Sequence, residues 1–295
     1  MALVKDVIER LDDLPALPES LLKMQSMLAS NDFDIKALSE IVKRDEALAA
    51  IVLRCANSAF FSTGGATFDL SQSLVRLGSK ELMRIVTRAS MQSLFENAGQ
   101  SYGLRRGQLS RSAAGGAAIA RTLATESGSV EPELAYTCSL LRDVGKLVID
   151  HYMASQNLPV NDPGVSQQAE EEFLDVERKR FGFDHTEAGR ALIEHWKLPD
   201  PVADAVGFHH CPPVPGSDEH AELFDIVHAS DIVTLWAGLG IGRDGLAYRI
   251  VPHVRDGILC NRARNEQLVA EAWDAATAFD REQNESDDRV REVPA

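Results

Sequence analysis

The sequence has no cysteine pair of the kind that binds metal or cycles redox state. Cys55, Cys138, Cys211 and Cys260 are dispersed, with no CxxC, which argues against a zinc knuckle or dithiol motif and fits a reducing compartment. No apolar run approaches the ~18 residues a membrane span needs. The N-terminus, MALVKDVIERLDD, interleaves acids with apolar residues and has no signal-peptide core. The expected location is the cytoplasm, with no membrane partner. No stretch alternates in the manner of a strand, and there is no internal repeat or low-complexity tract. Basic charge is also scarce: 30 Lys+Arg face 45 Asp+Glu, for a net charge of −15. The deficit is uneven, because residues 1–110 hold 13 of each sign and the whole excess of acid lies in 111–295. Non-specific nucleic-acid binding relies on basic surface, so nucleic acid is not an expected partner.

What is present is helical periodicity. The 295 residues, 44% apolar and 25% charged, suit one large or two modest globular domains. Helical patterns are expected over 2–11, 19–30, after Asp34 and Asp45 as N-caps, and from Ser71 to a stop at Gly78. Ser79 then starts a longer helix in which Lys80, Arg84 and Arg88 share one face. That face is either a solvated basic stripe or a patch for an anionic ligand or acidic partner. The glycine-rich NAGQSYGLRRGQ is the candidate boundary. Further helices are expected over 108–126, 132–152, 165–181, 185–196, 200–210, 220–239 and 265–284. The reading is an all-α protein of two packed helical sub-domains: 1–104, a second bundle over 105–285, and a frayed polar tail over 286–295. Residues 1–285 also make sense as one unit.

One stretch needs explaining, AYTCSLLRDVGKLVI at 135–149. Ala135, Leu140, Leu141, Val144, Leu147 and Val148 recur at helical spacing, yet Arg142–Asp143 sits among them. Buried charges are costly unless paired or bound to metal. Candidate partners lie downstream, where seven of the eight histidines fall between 151 and 228. His185 opens one helical pattern, His209–His210 closes the next, and Asp231 lies mid-helix among apolar residues. Polar groups on the inner faces of several helices are how bundles build metal sites. Lys146 either reaches the same acidic cluster or snorkels to solvent, the latter being favoured. Gly145 can bring two helices close.

Taken in order, LPALPES at 14–20, IVKRDEALAAIVLRCANSAFF at 41–61, LVRLGSKEL at 74–82, CSLLRDVGKLVI, HTEAGRALIEHWKLP, FHH ending at His210, and HASDIV form a specific set. They resemble the HDOD family, the HD-related output domains of bacterial signalling proteins, over about residues 14–240. The family is similar to HD-type metal phosphohydrolases, including the HD-GYP enzymes that cleave cyclic di-GMP, and the resemblance implies a non-catalytic interaction module. By the same resemblance, Asp143, His185, His209 or His210, and Asp231 retain the metal-site positions. Arg111 and Arg142 stand where the hydrolases have histidine. Guanidinium has no lone pair and stays charged, so neither arginine can ligate a metal. The expected site is vestigial: Arg111 and Arg142 neutralise Asp143 and Asp231 in an ion-pair network, with no metal and no cofactor.

The expected function is a non-enzymatic signalling adaptor acting on partners in trans, including proteins of cyclic di-GMP signalling, with homodimerisation left open. One alternative is a nucleotide sensor using Arg111 and Arg142 on phosphate. The other is a one-metal phosphohydrolase built on Asp143, His185, His209, His210 and Asp231.

Overall fold

The helical period is realised in a computed structural model that describes residues 2–10, 42, 46–57, 70–95, 97–158, 172–242 and 248–291. Every regular element among these residues is helical, and no helix among them is long and apolar enough to cross a membrane. The N-terminal helices are α1 (Ala2–Arg10), α2 (Glu46–Ala56) and α3 (Leu70–Phe95). A 3-10 turn at Gln100–Tyr102 precedes α4 (Gln108–Ser127), α5 (Pro132–Leu141) and α6 (Gly145–Ser155). Then come α7 (Phe173–Phe181), α8 (His185–His195), α9 (Asp200–Phe208), α10 (Ala221–Trp236), α11 (Pro252–Asp256) and α12 (Arg262–Arg291). The expected helix over 19–30 and the caps at Asp34 and Asp45 lie outside the described residues.

Two compact units emerge, one of residues 15–93 and one of 1–14 with 94–295. The boundary expected at 104 therefore falls at 93. The glycine-rich segment is not a free linker, because Ser101 and Tyr102 are buried. The Asp150 carboxylate accepts hydrogen bonds from the backbone N–H groups of Gly99, Gln100 and Ser101, which pins the segment to α6. Helix α1 joins this unit by burying Val4 and Ile8, one turn apart, and pairing Lys5 with Glu194 of α8 at 2.8 Å. In the other unit, Arg76 donates to the Ala56 carbonyl at 3.2 Å, tying α3 to the end of α2. Helix α3 is broken at Gly78, whose φ of +74° and ψ of 170° are not helical, as the expected stop there required.

The larger unit is organised around α4. Its small residues let α5, α10 and α12 pack closely upon it. A Cβ on Gly115 would lie 2.9 Å from Leu239 and 3.2 Å from the Ala272 carbonyl, so α12 approaches to backbone distance. Helix α5 starts on Pro132 with Glu131 capping the Leu134 N–H at 2.7 Å. Helix α8 carries a capping box in which the Asp184 and Glu187 side chains satisfy each other's backbone N–H.

Two expectations are corrected. The single helix over 132–152 is two helices, with Arg142, Asp143 and Val144 in the turn between them. The turn frees Arg142 and Asp143 to point into the same interior, which i, i+1 neighbours on one helix face cannot do. The last helix does not end near 284 but runs to Arg291, because no glycine or proline interrupts the chain before Pro294.

Candidate functional site

Arg142 is fully buried, and its guanidinium is held from three sides. Its Nε donates to Asp231 Oδ1 at 2.8 Å and lies 3.3 Å from Asp143 Oδ2. Nη1 donates to the Ser139 carbonyl at 2.9 Å. Nη2 donates to Ser112 Oγ at 2.9 Å and Thr234 Oγ1 at 3.2 Å. Gly116 completes this cradle, since a Cβ there would stand 2.5 Å from Nη1. Asp143 is engaged on its other oxygen by Lys146 Nζ at 3.0 Å. Lys146 is thus not a snorkelling residue: it is buried, with its Nζ 5.0 Å from the Tyr102 ring centroid. A lysine one turn after Asp143 on an apolar helix reaches that carboxylate more readily than water.

The histidines stand opposite. Glu177, buried at 2% exposure, accepts from the His185 backbone N–H at 2.9 Å and from His185 Nδ1 at 2.8 Å, and also receives the Tyr102 hydroxyl. His185 Nε2 lies 3.1 Å from His210 Nε2, and His210 Nδ1 lies 3.6 Å from Asp231 Oδ2. Burial opposes protonation of His185, but the charge and hydrogen bond of Glu177 outweigh it and raise its pKa. His185 thus holds Glu177 through Nδ1 and meets His210 through Nε2. Tyr248 stacks flat on His210, ring centroids 3.9 Å apart. His209 Nδ1 donates to the Val206 carbonyl at 2.7 Å, and its Nε2 has no hydrogen-bond partner. His228 is fixed as a neutral tautomer, donating from Nδ1 to the His209 carbonyl and accepting the Val251 N–H at Nε2.

The result is a ring of contacts running Tyr102, Glu177, His185, His210, Asp231, Arg142, Asp143, Lys146 and back to the Tyr102 ring. Burial pulls the Arg142 pKa down, but Asp231 and Asp143 outweigh it and raise it. Burial pushes Asp143 up, but Lys146 and then Arg142 hold it far below the usual carboxylate range. Burial, and then the charge of His185, lower His209 to about 4; burial and the neighbouring histidines hold His210 well below its ordinary value. Burial also lowers His228.

Six of the seven expected site residues come together: Arg142, Asp143, His185, His209, His210 and Asp231. Arg111 does not. Its Nε faces Asp280 Oδ2 at 3.1 Å and its guanidinium lies over Trp273, with the side chain 32% exposed. The register of α4 turns its neighbour Ser112 inward instead, and Lys146 supplies the second cation. The two arginines share no cleft, and each Arg142 nitrogen already donates within the protein, which removes the arrangement a phosphate sensor would need. The basic face of α3 is less free than its sequence suggests. Arg84 pairs with Glu81, Arg88 also has a partner, and the Lys80 side chain lies outside the described residues.

Glu177 is outside the expected site, yet the sequence carries its signal: Phe173, Glu177 and Phe181 recur every four residues, which places the acid on an apolar face. Tyr102 ends the short 3-10 turn and Tyr248 lies outside any helix, where α-helical periodicity says nothing.

Nitrogens of His185, His209 and His210 all lie within 4.8 Å of one another, a spacing compatible with a ligand set. The site as folded nevertheless does not fit a divalent ion of the HD type. Both Asp143 oxygens face cations, Asp231 Oδ1 is taken by Arg142, and both His185 nitrogens are used. Arg142 places a fixed charge between the two carboxylates.

The depressed histidines carry a pH dependence. Unfolded, they bind a proton near pH 6.5; folded, His209 does so only near 4. The folded state therefore holds fewer protons across that window, and stability present above pH 6.5 is lost as pH falls towards 4. His209 alone accounts for about 3 kcal/mol, with His210 and His228 acting in the same sense. His185 opposes them, since its raised pKa adds stability below pH 6.5 that is lost as pH rises. The urea midpoint is expected to drop between pH 7 and 5, and to drop less in His209→Gln. An unchanged slope in that variant would contradict the assignment.

Residues 14–212 match the family profile of the HDOD domain. A curated relative, an uncharacterized protein of Treponema pallidum (strain Nichols), is 27% identical over 210 residues, which are 70% of this chain. The chain spans only 40% of that relative's length. Among solved structures, an HDOD domain protein of unknown function from Geobacter sulfurreducens has a TM-score of 0.70 at 22% identity, covering 99% of this chain and 97% of its own. A provisionally named signal transduction protein from Marinobacter aquaeolei VT8 has a TM-score of 0.73 at 19% identity, covering 96% and 65%. At these identities the structural likenesses establish the fold.

Proposed function

This chain belongs to the HDOD family, and on that premise we propose that it is a non-enzymatic signalling output module acting through protein–protein contacts. The observation that carries the reading is Arg142, buried between Asp143 and Asp231 where an HD-type hydrolase would bind a metal. Hydrolysis of a phosphodiester by such a site needs a metal-activated water and a Lewis acid on phosphate. Here the carboxylates are neutralised by Arg142 and Lys146. The reading extends to the partners: signalling proteins acting in trans, among them those that make, degrade or sense cyclic di-GMP. The acidic unit and the α3 face around Arg84 and Arg88 are the surfaces offered.

The test is run on the wild-type chain. Purified protein is expected to carry substoichiometric manganese, iron and zinc, and to hydrolyse neither cyclic di-GMP nor bis(p-nitrophenyl) phosphate above the blank. Affinity capture from the native cell is expected to recover a signalling protein, and to lose it when Arg84→Glu and Arg88→Glu are introduced together. Hydrolysis that disappears in Asp143→Ala would overturn the reading in favour of an enzyme.

A further inference from the structure

The donor atoms around Arg142 are those of a cation site with its centre filled. Remove the guanidinium and Asp231 Oδ1 and Asp143 Oδ2 lose their partner. Asp231 Oδ2 and His209 Nε2 already lack one, although both atoms are buried. His210 Nδ1 is in the same state. Ring nitrogens of His185, His209 and His210 cluster within 4.8 Å beside them, and a cation there would have to take Nε2 of His185 from its contact with His210. Imidazole with carboxylate suits manganese, iron and zinc rather than calcium, which takes oxygen ligands throughout.

The surroundings are fitted to arginine in particular. Ser112 Oγ, the Ser139 carbonyl and Thr234 Oγ1 all accept from the guanidinium fork, and Gly116 leaves room that a methyl group would fill. A histidine at 142 would reach none of the Ser112 and Thr234 oxygens through the same fork, but would add a nitrogen lone pair where Nε now lies.

We infer that Arg142 is a built-in counter-ion plugging a dormant divalent-cation site, and that the single change Arg142→His opens that site to manganese or zinc. The inference rests on the metal-free reading of the wild-type chain given above. The plug works by charge and by volume. It holds both carboxylates in ion pairs and fills the space between them, so a dication would have to displace a fully buried guanidinium whose three nitrogens all donate within the protein.

The experiment compares wild type, Arg142→His and Arg142→Gln, each purified in chelator and then titrated with Mn2+ or Zn2+ alone. Melting temperature and bound metal are read. Wild type is expected to show neither a shift nor stoichiometric metal. Arg142→His is expected to melt lower in chelator, to bind about one ion per chain, and to gain about 5–10 °C at a hundredfold excess over the dissociation constant. Arg142→Gln frees the carboxylates without adding an imidazole and is expected to gain less. If Arg142→His folds, as judged by its helical circular dichroism, yet takes up no more metal than wild type, the inference fails while the functional reading stands. If neither variant folds, with or without the ions, the inference also fails, because a cation able to replace guanidinium would restore the fold. Stoichiometric metal in the wild-type chain would instead sink the functional reading, and the plug with it.

Discussion

Replacing Arg142 with alanine is expected to lower the unfolding free energy by about 3–5 kcal/mol, the cost of breaking a buried ion pair from one side. The change removes the cation between Asp143 and Asp231 and leaves both carboxylates in an interior they reach only as a paired group. It also empties the cradle of Ser112, Ser139 and Thr234. Lysine is not expected to rescue the loss, because an ammonium cannot reproduce the fork that meets three elements at once. Asp231 on α10, Ser112 on α4 and Ser139 on α5 are held by the same side chain, so the loss should appear as one cooperative shift of the urea midpoint. If Arg142→Ala unfolds at the wild-type midpoint, the network contributes nothing to stability.

Gly145→Ala is expected to be about as severe, near or above 3 kcal/mol, the upper end of what overpacking costs. A Cβ on Gly145 would stand 1.8 Å from the His185 carbonyl oxygen and 2.5 Å from the Gly189 nitrogen. Both are backbone atoms, so no rotamer change relieves the overlap and α6 must move away from α8. His185 moves with α8 and loses its register with Glu177 and His210. Gly189→Ala is the control. Its Cβ would meet the Val206 Cγ1 at 2.7 Å, a side-chain atom, and the Gly145 backbone nitrogen at 3.2 Å, a far milder backbone contact than the 1.8 Å of Gly145. The expected order of midpoints is wild type, Gly189→Ala, then Gly145→Ala. The reverse order would show that the α6–α8 contact is not fixed at Gly145.

The helices were legible because their apolar residues recur every three to four positions, and the family was legible because its motifs are local strings. The site was legible in part. Asp143 and Asp231 stood out as charges inside apolar runs, and the histidines as a cluster. What could not be read was side-chain direction where the helical period is interrupted. The turn at 142–144 decides that Arg142 and Asp143 face one another's neighbours, and nothing in CSLLRDVGKLVI marks the break. Arg111 enters the expected site through the family resemblance alone, which fixes a place in the string and not the direction of the side chain. Residues 111 and 112 are both polar and lie at the start of α4, where a shift of one residue exchanges an inward position for a surface one. The expectation of solvent for Lys146 follows from where lysine usually goes, but its partner Asp143 is one turn away.

The buried ring has a further consequence for ionic strength. With His185 protonated, its charges balance: Arg142, Lys146 and His185 against Asp143, Asp231 and Glu177. Counted with His neutral, the chain carries −15 and the ring −1, so −14 of the net charge resides outside the ring, where mobile ions reach it. At physiological salt the Debye length is about 8 Å, so exposed charges are screened while buried pairs are little affected. Added sodium chloride should leave the internal network intact while weakening any association steered by the acidic surface.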